Sequence, residues 1–264
     1  DAAVDECVLQ DSYCVIDYHS TNNWNYPLSN IDATKLFWSS MGLRYKDVPN
    51  VLFELFNEPV SDLDNHVWPG GSEGGSKEWS DFKADLAQPL VEHIRTVVGA
   101  TETFLLVGSP QYTGKLAGIN SDPIVDPAPR ERIGYAYHVY GFHWNGNPTL
   151  ENYLGCTVNN YPIIVTEFGY EAGAPCPIES CTSDTPINQD AYGLSMKEYI
   201  KNNDLSFTAW VFDNSFRPVM WEDAQFTQLA EGSGYMGRYT KNFLNEEKNN
   251  DRYCNPCNTS GNPT

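Results

Sequence analysis

Two glutamates, Glu58 and Glu167, each close an apolar run of this 264-residue chain. The first run is Val51-Leu-Phe-Glu-Leu-Phe-Asn-Glu-Pro59, the second Tyr161-Pro-Ile-Ile-Val-Thr-Glu-Phe-Gly169. Pro59 bars continuation as helix or ladder and Gly169 permits a turn, so both carboxyl groups are expected where a buried strand stops. A carboxyl group in that position is partly desolvated, which favours the proton-bearing form and suits it to general-acid chemistry. Paired with a second carboxylate, it makes the set that cleavage of a glycosidic bond requires.

The elements that must carry these groups alternate along the chain. Ala2–Leu9 has the character of an amphipathic helix whose start lies outside the sequence, and the strand Tyr13–His19 follows. The helix expected from Ile31 to Arg44 has Leu36, Phe37 and Met41 on one face, and Asp47–Asn50 turns the chain into the Glu58 strand. Ser61–Lys77, with Trp68-Pro-Gly-Gly, reads as a long loop of the kind that builds active sites. Glu78–Val98 is periodic and helical with Pro89 as a kink, and Gly99 ends it. Strands follow at Thr103–Val107, Arg132–Tyr140, Tyr161–Glu167 and Leu205–Phe212, with helices near Leu150–Cys156, Asn188–Asn202 and Met236–Glu247. Alternation puts Tyr135, Tyr137 and Val139 on one face of the Arg132–Tyr140 strand, and Ala136, His138 and Tyr140 on the other.

Six strands separated by helices make an α/β pattern of parallel strands with right-handed crossovers. Both an open sheet and a closed barrel fit it. His19, Asn57 with Glu58, His138 with Tyr140, Glu167 and Trp210 fall at the C-terminal ends of five different strands, and a barrel would converge them on one mouth. No glycine-rich phosphate loop follows any strand, which weighs against a nucleotide-binding open sheet.

Composition narrows the partners. A net charge of −19 disfavours nucleic acid and anionic membrane, since both are recognised by clustered Lys and Arg. Sixteen tyrosines and seven tryptophans supply flat rings that can stack on sugars; Trp24, Trp68, Trp144 and Trp221 lie in loops where they could line subsites. The seven cysteines lack zinc-site spacing, and the pairs Cys176/Cys181 and Cys254/Cys257 suit short-loop disulfides, which points to a secreted protein. No apolar run is long enough to span a membrane. One domain over residues 1–247 is expected, with a polar tail at 248–264.

These residues together resemble glycoside hydrolase family 5, the cellulase and mannanase family. Asn57-Glu58-Pro59 matches its strand-four motif and Glu167-Phe168-Gly169 its strand-seven motif. His19 in Ile16-Asp-Tyr-His matches the strand-three histidine, His138 and Tyr140 the strand-six pair, and Trp210 the strand-eight tryptophan. The resemblance implies a (β/α)8 TIM barrel, here with strands three to eight and without the first two βα units and their strand-two arginine.

It further implies a retaining, endo-acting hydrolase of β-1,4-glucan, with Glu167 as nucleophile and Glu58 as acid and base. Tyr140 would orient Glu167, and Asn57 would donate to the sugar 2-hydroxyl. His19 and His138 would hold the sugar in the −1 subsite, and Trp210 would form its floor. No metal or organic cofactor is implied, and the complete protein would be a monomer acting on a β-linked polysaccharide. A β-mannanase of the same family, and a non-catalytic carbohydrate-binding barrel or inactive fragment, are the alternative readings; the missing units would leave open sheet edges.

Overall fold

A computed structural model describes residues 1–20, 31–60, 76–116, 118–140, 154, 157–170, 189–216, 218–230 and 236–248. Its six strands are β1 (Cys14–Asp17), β2 (Val51–Glu54), β3 (Phe104–Val107), β4 (Ile133–Tyr140), β5 (Ile163–Gly169) and β6 (Ser206–Phe207). They lie side by side in sequence order. The pairs β1–β2, β2–β3, β3–β4 and β5–β6 are parallel, as consecutive right-handed crossovers require. The strands are shorter than the apolar runs that encode them. β2 stops at Glu54, so Glu58 sits four residues past the ladder, and β6 is two residues long, leaving Trp210 beyond it.

The described residues fall into two compact units. The first comprises Asp1–Val139, Pro148–Glu167 and Asn203–Phe207, and the second Tyr140–Asn147, Phe168–Asn202 and Thr208–Thr264. In the first unit, helix α1 (Ala2–Leu9) is tied to β1 by a Cys7–Cys14 disulfide that the cysteine spacing had not singled out. The cysteine pairs expected to bond, Cys176/Cys181 and Cys254/Cys257, lie outside the described residues.

Helix α2 (Ile31–Tyr45) corrects the expected core face. Leu36 is 72% exposed, whereas Thr34, Trp38, Gly42 and Tyr45 are buried. The buried set recurs at i, i+4, i+8 and i+11, and it is chosen by Trp38, whose ring packs 4.9 Å from Phe53 and whose indole N–H donates to the Leu55 carbonyl at 3.0 Å. The helical run after β2 begins with α3 (Ser76–Phe82), passes through a π-helical turn (Lys83–Ala87) into α4 (Gln88–Glu92), and ends in a second π-helical turn (His93–Val98). Gly99 stops it at φ 74°, a left-handed cap that glycine adopts without cost. Leu86, Leu90, Val91 and Ile94 from this run are fully buried.

In the second unit, Gln189–Asn202 and Met236–Lys248 are helical and are linked by Lys197 and Glu246 at 2.5 Å. Burial pushes the Tyr239 hydroxyl well above its usual range, and it donates to the Gly193 carbonyl at 2.7 Å. Among the described residues no helix is long and apolar enough to cross a membrane.

Candidate active site

Asp17 and Glu54 are register partners on β1 and β2, each at the last position of its strand. Phe53 is turned to the Trp38 helix, so strand alternation turns Glu54 to the opposite face. There Glu54 Oε1 accepts a 2.9 Å hydrogen bond from the Thr166 hydroxyl of β5. Three strand spacings of a flat sheet would hold those strands about 14 Å apart. The sheet of the first unit is therefore strongly curled, and side chains from β1, β2, β4 and β5 meet on its inner face.

His138 of β4 stands at the centre. Its Nδ1 lies 3.0 Å from Glu58 Oε1 and 3.5 Å from Glu167 Oε2, and its Nε2 lies 3.1 Å from Thr166 Oγ1 and 3.3 Å from Glu54 Oε1. Because the Thr166 hydroxyl gives its hydrogen to Glu54, it accepts from Nε2, which makes Nε2 a donor as well as Nδ1. Burial works against charge on the ring, but the hydrogen bonds to Glu54 and Glu58 and the charges of Glu167 and Glu54 outweigh it, and the imidazole is pushed up to about 10.

Glu58, His138 and Glu167 each bring one oxygen or ring nitrogen within 4.8 Å of the others, a spacing that a metal ion could bridge. With the ring protonated at both nitrogens the trio is an ion cluster of one cation between two carboxylates. Exposure grades the carboxylates. The Glu58 side chain is 22% exposed, Glu167 10% and Glu54 5%, so Glu58 is the one most open to a bound molecule.

Of the residues singled out in the sequence, His19, Asn57, Glu58, His138 and Glu167 share the first unit. His19 donates from Nδ1 to Asp17 Oδ2 at 2.8 Å, and this bond, with the charges of Asp17, Glu167 and Glu58, raises its pKa despite partial burial. Burial pushes Asp17 up to about 6 against the opposing bond to His19, and the Glu54 charge adds to the rise. Asn57 is buried, with its N–H donating to the Tyr18 carbonyl at 3.2 Å. Tyr140 and Trp210 belong to the second unit. Tyr140 is the last, half-buried residue of β4, and Trp210 donates its N–H to the Phe168 carbonyl at 2.9 Å with its ring edge-on to Phe216. Trp221 packs edge-on against Phe212 and Phe226. Trp24, Trp68 and Trp144 lie outside the described residues.

Four site residues escaped the sequence reading: Asp17, Glu54, Thr166 and Tyr112. The first two carry a signal, since a carboxylate inside an apolar strand must find partners when buried. Tyr112 belongs to a turn, Pro110–Thr113, in which Gln111, Tyr112 and Thr113 all take left-handed φ of 55°, 58° and 58°. That turn is strapped to the Glu58 segment. The Thr113 hydroxyl donates to the Asn57 carbonyl at 2.7 Å and the Tyr112 N–H to the Pro59 carbonyl at 3.3 Å. Gly108 makes room for it, because a Cβ there would stand 2.6 Å from Thr113 Oγ1. Burial and the Glu58 charge push the Tyr112 hydroxyl up.

Comparison with known proteins follows the same lines. The sequence model of a family described as Cellulase (glycosyl hydrolase family 5) matches residues 1–216. Endoglucanase A of Butyrivibrio fibrisolvens is 28% identical over 172 residues, which is 64% of this chain and 34% of that protein. Endoglucanase Z of Dickeya dadantii is 26% identical over 63% of this chain and 33% of its own length. The chain thus spans about a third of the length of these curated relatives. Among solved structures, a beta-glucanase from Saccharophagus degradans superposes with a TM-score of 0.69 at 24% identity, covering 93% of this chain and 71% of that one. The catalytic domain of a Thermobifida fusca endoglucanase does so at 0.65 and 21%, covering 92% and 73%. The shared fold is the (β/α)8 barrel, of which the described residues supply six strands. With the family model matched over most of its length, the chain belongs to glycosyl hydrolase family 5, the cellulases.

Proposed function

We propose that the protein is a retaining endo-β-1,4-glucanase in which Glu167 is the nucleophile and Glu58 the acid and base. The observation that carries this reading is the separation of the two carboxylates. An oxygen of Glu58 and one of Glu167 lie within 4.8 Å, close to the roughly 5–5.5 Å of retaining enzymes and short of the roughly 6.5–9.5 Å that leaves room for an inverting water. Glu167 attacks the anomeric carbon while Glu58 protonates the leaving oxygen, forming a glycosyl-enzyme. Glu58 then takes a proton from water, which releases the sugar with its configuration kept.

In this scheme the imidazolium of His138 offsets the negative charge of the glutamate pair. His19 and Asn57 meet the sugar at the −1 position. Glucan is favoured over mannan because matched relatives carry the name endoglucanase, and a solved beta-glucanase with the same fold is in complex with cellotetraose. A secreted, monomeric protein acting on an insoluble or soluble β-glucan fits this reading, and the Cys7–Cys14 disulfide supports an oxidising destination.

Reducing-sugar release from soluble β-1,4-glucan and from β-mannan, measured beside Glu167→Gln, tests the proposal. Turnover of glucan with the β-anomer appearing first, lost on the order of a thousand-fold or more in the variant, is the expected result. Preference for mannan would replace the substrate assignment. An α-anomer as first product would refute retention, and no release from either polymer would favour a carbohydrate-binding barrel.

A further inference from the structure

The two-glutamate mechanism leaves one buried acid of the site without a task. Glu54 is the least exposed of the carboxylates around His138, it is too deep to touch a substrate, and it is held by a hydroxyl from a strand three places away. We propose that Glu54 is a positioning residue of the glutamate pair. Together with Thr166 it clamps Nε2 of His138, so that Nδ1–H is presented to Glu58 and Glu167. The proposal rests on the reading of those two glutamates as the catalytic pair.

The hydrogens carry the argument. Thr166 has one hydroxyl hydrogen, and Glu54 takes it at 2.9 Å. The oxygen left behind can only accept, so Nε2 carries a hydrogen. A second hydrogen on Nδ1, which faces Glu58 and Glu167, makes the ring a double donor. Remove the Glu54 charge, and the cation on the ring loses the anion that faces Nε2. The ring then gives up a proton more readily and with it its charge between Glu58 and Glu167. A nearby opposite charge moves a carboxylate titration by about 1–3 pH units, so the loss reaches both members of the pair. The other groups that bear on the ring stay in place: Asp17 from β1, and behind the pair His19, which senses Glu58 and Glu167, and Tyr112, which senses Glu58.

The test is read on the resting full chain, with histidine labelled with nitrogen-15 and His138→Asn used to assign the ring. In the wild-type protein both ring nitrogens stay protonated from about pH 5 to about pH 9. In Glu54→Gln the ring loses a proton and becomes neutral inside that window, and the acid limb of the kcat/KM profile rises by about one pH unit or more. Glu54→Asp, gentler on folding, withdraws the carboxylate by one methylene and lowers the ring titration by less. Thr166→Val lowers it too, and Thr166→Ser restores it. A His138 titration unchanged in both Glu54 variants overturns the proposal, as does a neutral ring in the wild-type protein at neutral pH. The expected titrations in a chain without turnover would refute the catalytic reading and not the clamp.

Discussion

Replacing Arg95 by Met separates the value of a buried ion pair from that of the apolar packing around it. Arg95 lies in the His93–Val98 turn, and both its side chain and that of Asp126 are 1% exposed. The guanidinium meets Asp126 through Nε and Nη2, each at 2.9 Å, and its remaining N–H groups reach the carbonyls of Ala100, Thr103 and Arg132. Asp126 also accepts from the N–H groups of Ala128 and Arg132 at 3.0 Å. Burial works against its charge, but these bonds outweigh it and hold the carboxyl below its usual range.

Arg95→Met leaves a buried carboxylate without its cation and removes the donor to three carbonyls, a loss of about 3–5 kcal/mol. With m near 3 kcal/mol/M or less, the urea midpoint at neutral pH falls by roughly 1 M or more. Asp126 has a depressed folded pKa, so its stabilisation is present above the unfolded value of 3.8 and lost as pH falls through the folded one. The gap between wild type and Arg95→Met therefore narrows at pH 3. Arg95→Met with Asp126→Leu removes both charges and recovers part of the loss. A single-variant cost below about 1 kcal/mol, a cost equal at both pH values, or a double variant at the plain sum of the singles would refute this account.

Two further outcomes are expected. Asp17 carries a folded pKa raised from 3.8 to about 6, so its contribution is fully present below 3.8 and lost as pH rises through 6, a change of about 3 kcal/mol. Asp17→Asn removes that loss, and His19 then also gives up stability it held below 6.5, so the variant gains on wild type steadily as pH rises; urea titrations between pH 4 and pH 8 showing a flat difference would contradict it. Gly108→Ala drives a methyl into Thr113 Oγ1 and against the Phe56 carbonyl, costing roughly 1–3 kcal/mol and lowering kcat by displacing the strap on Asn57. Thermal melts and glucan kinetics on the same preparations measure both, and an unchanged kcat would disconnect that turn from the reaction.

The strands that lead to Glu58 and Glu167 were legible because apolar runs ended by Pro or Gly mark buried strands directly, whereas their order followed from the family resemblance. What the sequence hides is what depends on side chains from distant strands. Glu54 reads as a stray charge in a strand until the curl of the sheet brings Thr166 and His138 to it. The α2 core face was misread for a related reason: Leu36 is apolar but turns outward, while Thr34 and Gly42 are buried because the partner surface fits small residues beside Trp38. Gly108-Ser-Pro110 marks the start of an irregular stretch in the sequence, but with no glycine at residues 111–113 nothing there announces their left-handed backbone.

That turn has a meaning for the history of the chain. Three successive side-chain-bearing residues in the left-handed region cost on the order of 1–2 kcal/mol each, a burden that glycine at any of them would lift. A lineage drifting toward greater thermostability would find such replacements within a few nucleotide changes. Each would also loosen a loop fastened to both sides of Glu58, so selection for durability and selection for turnover pull in opposite directions at residues 111–113.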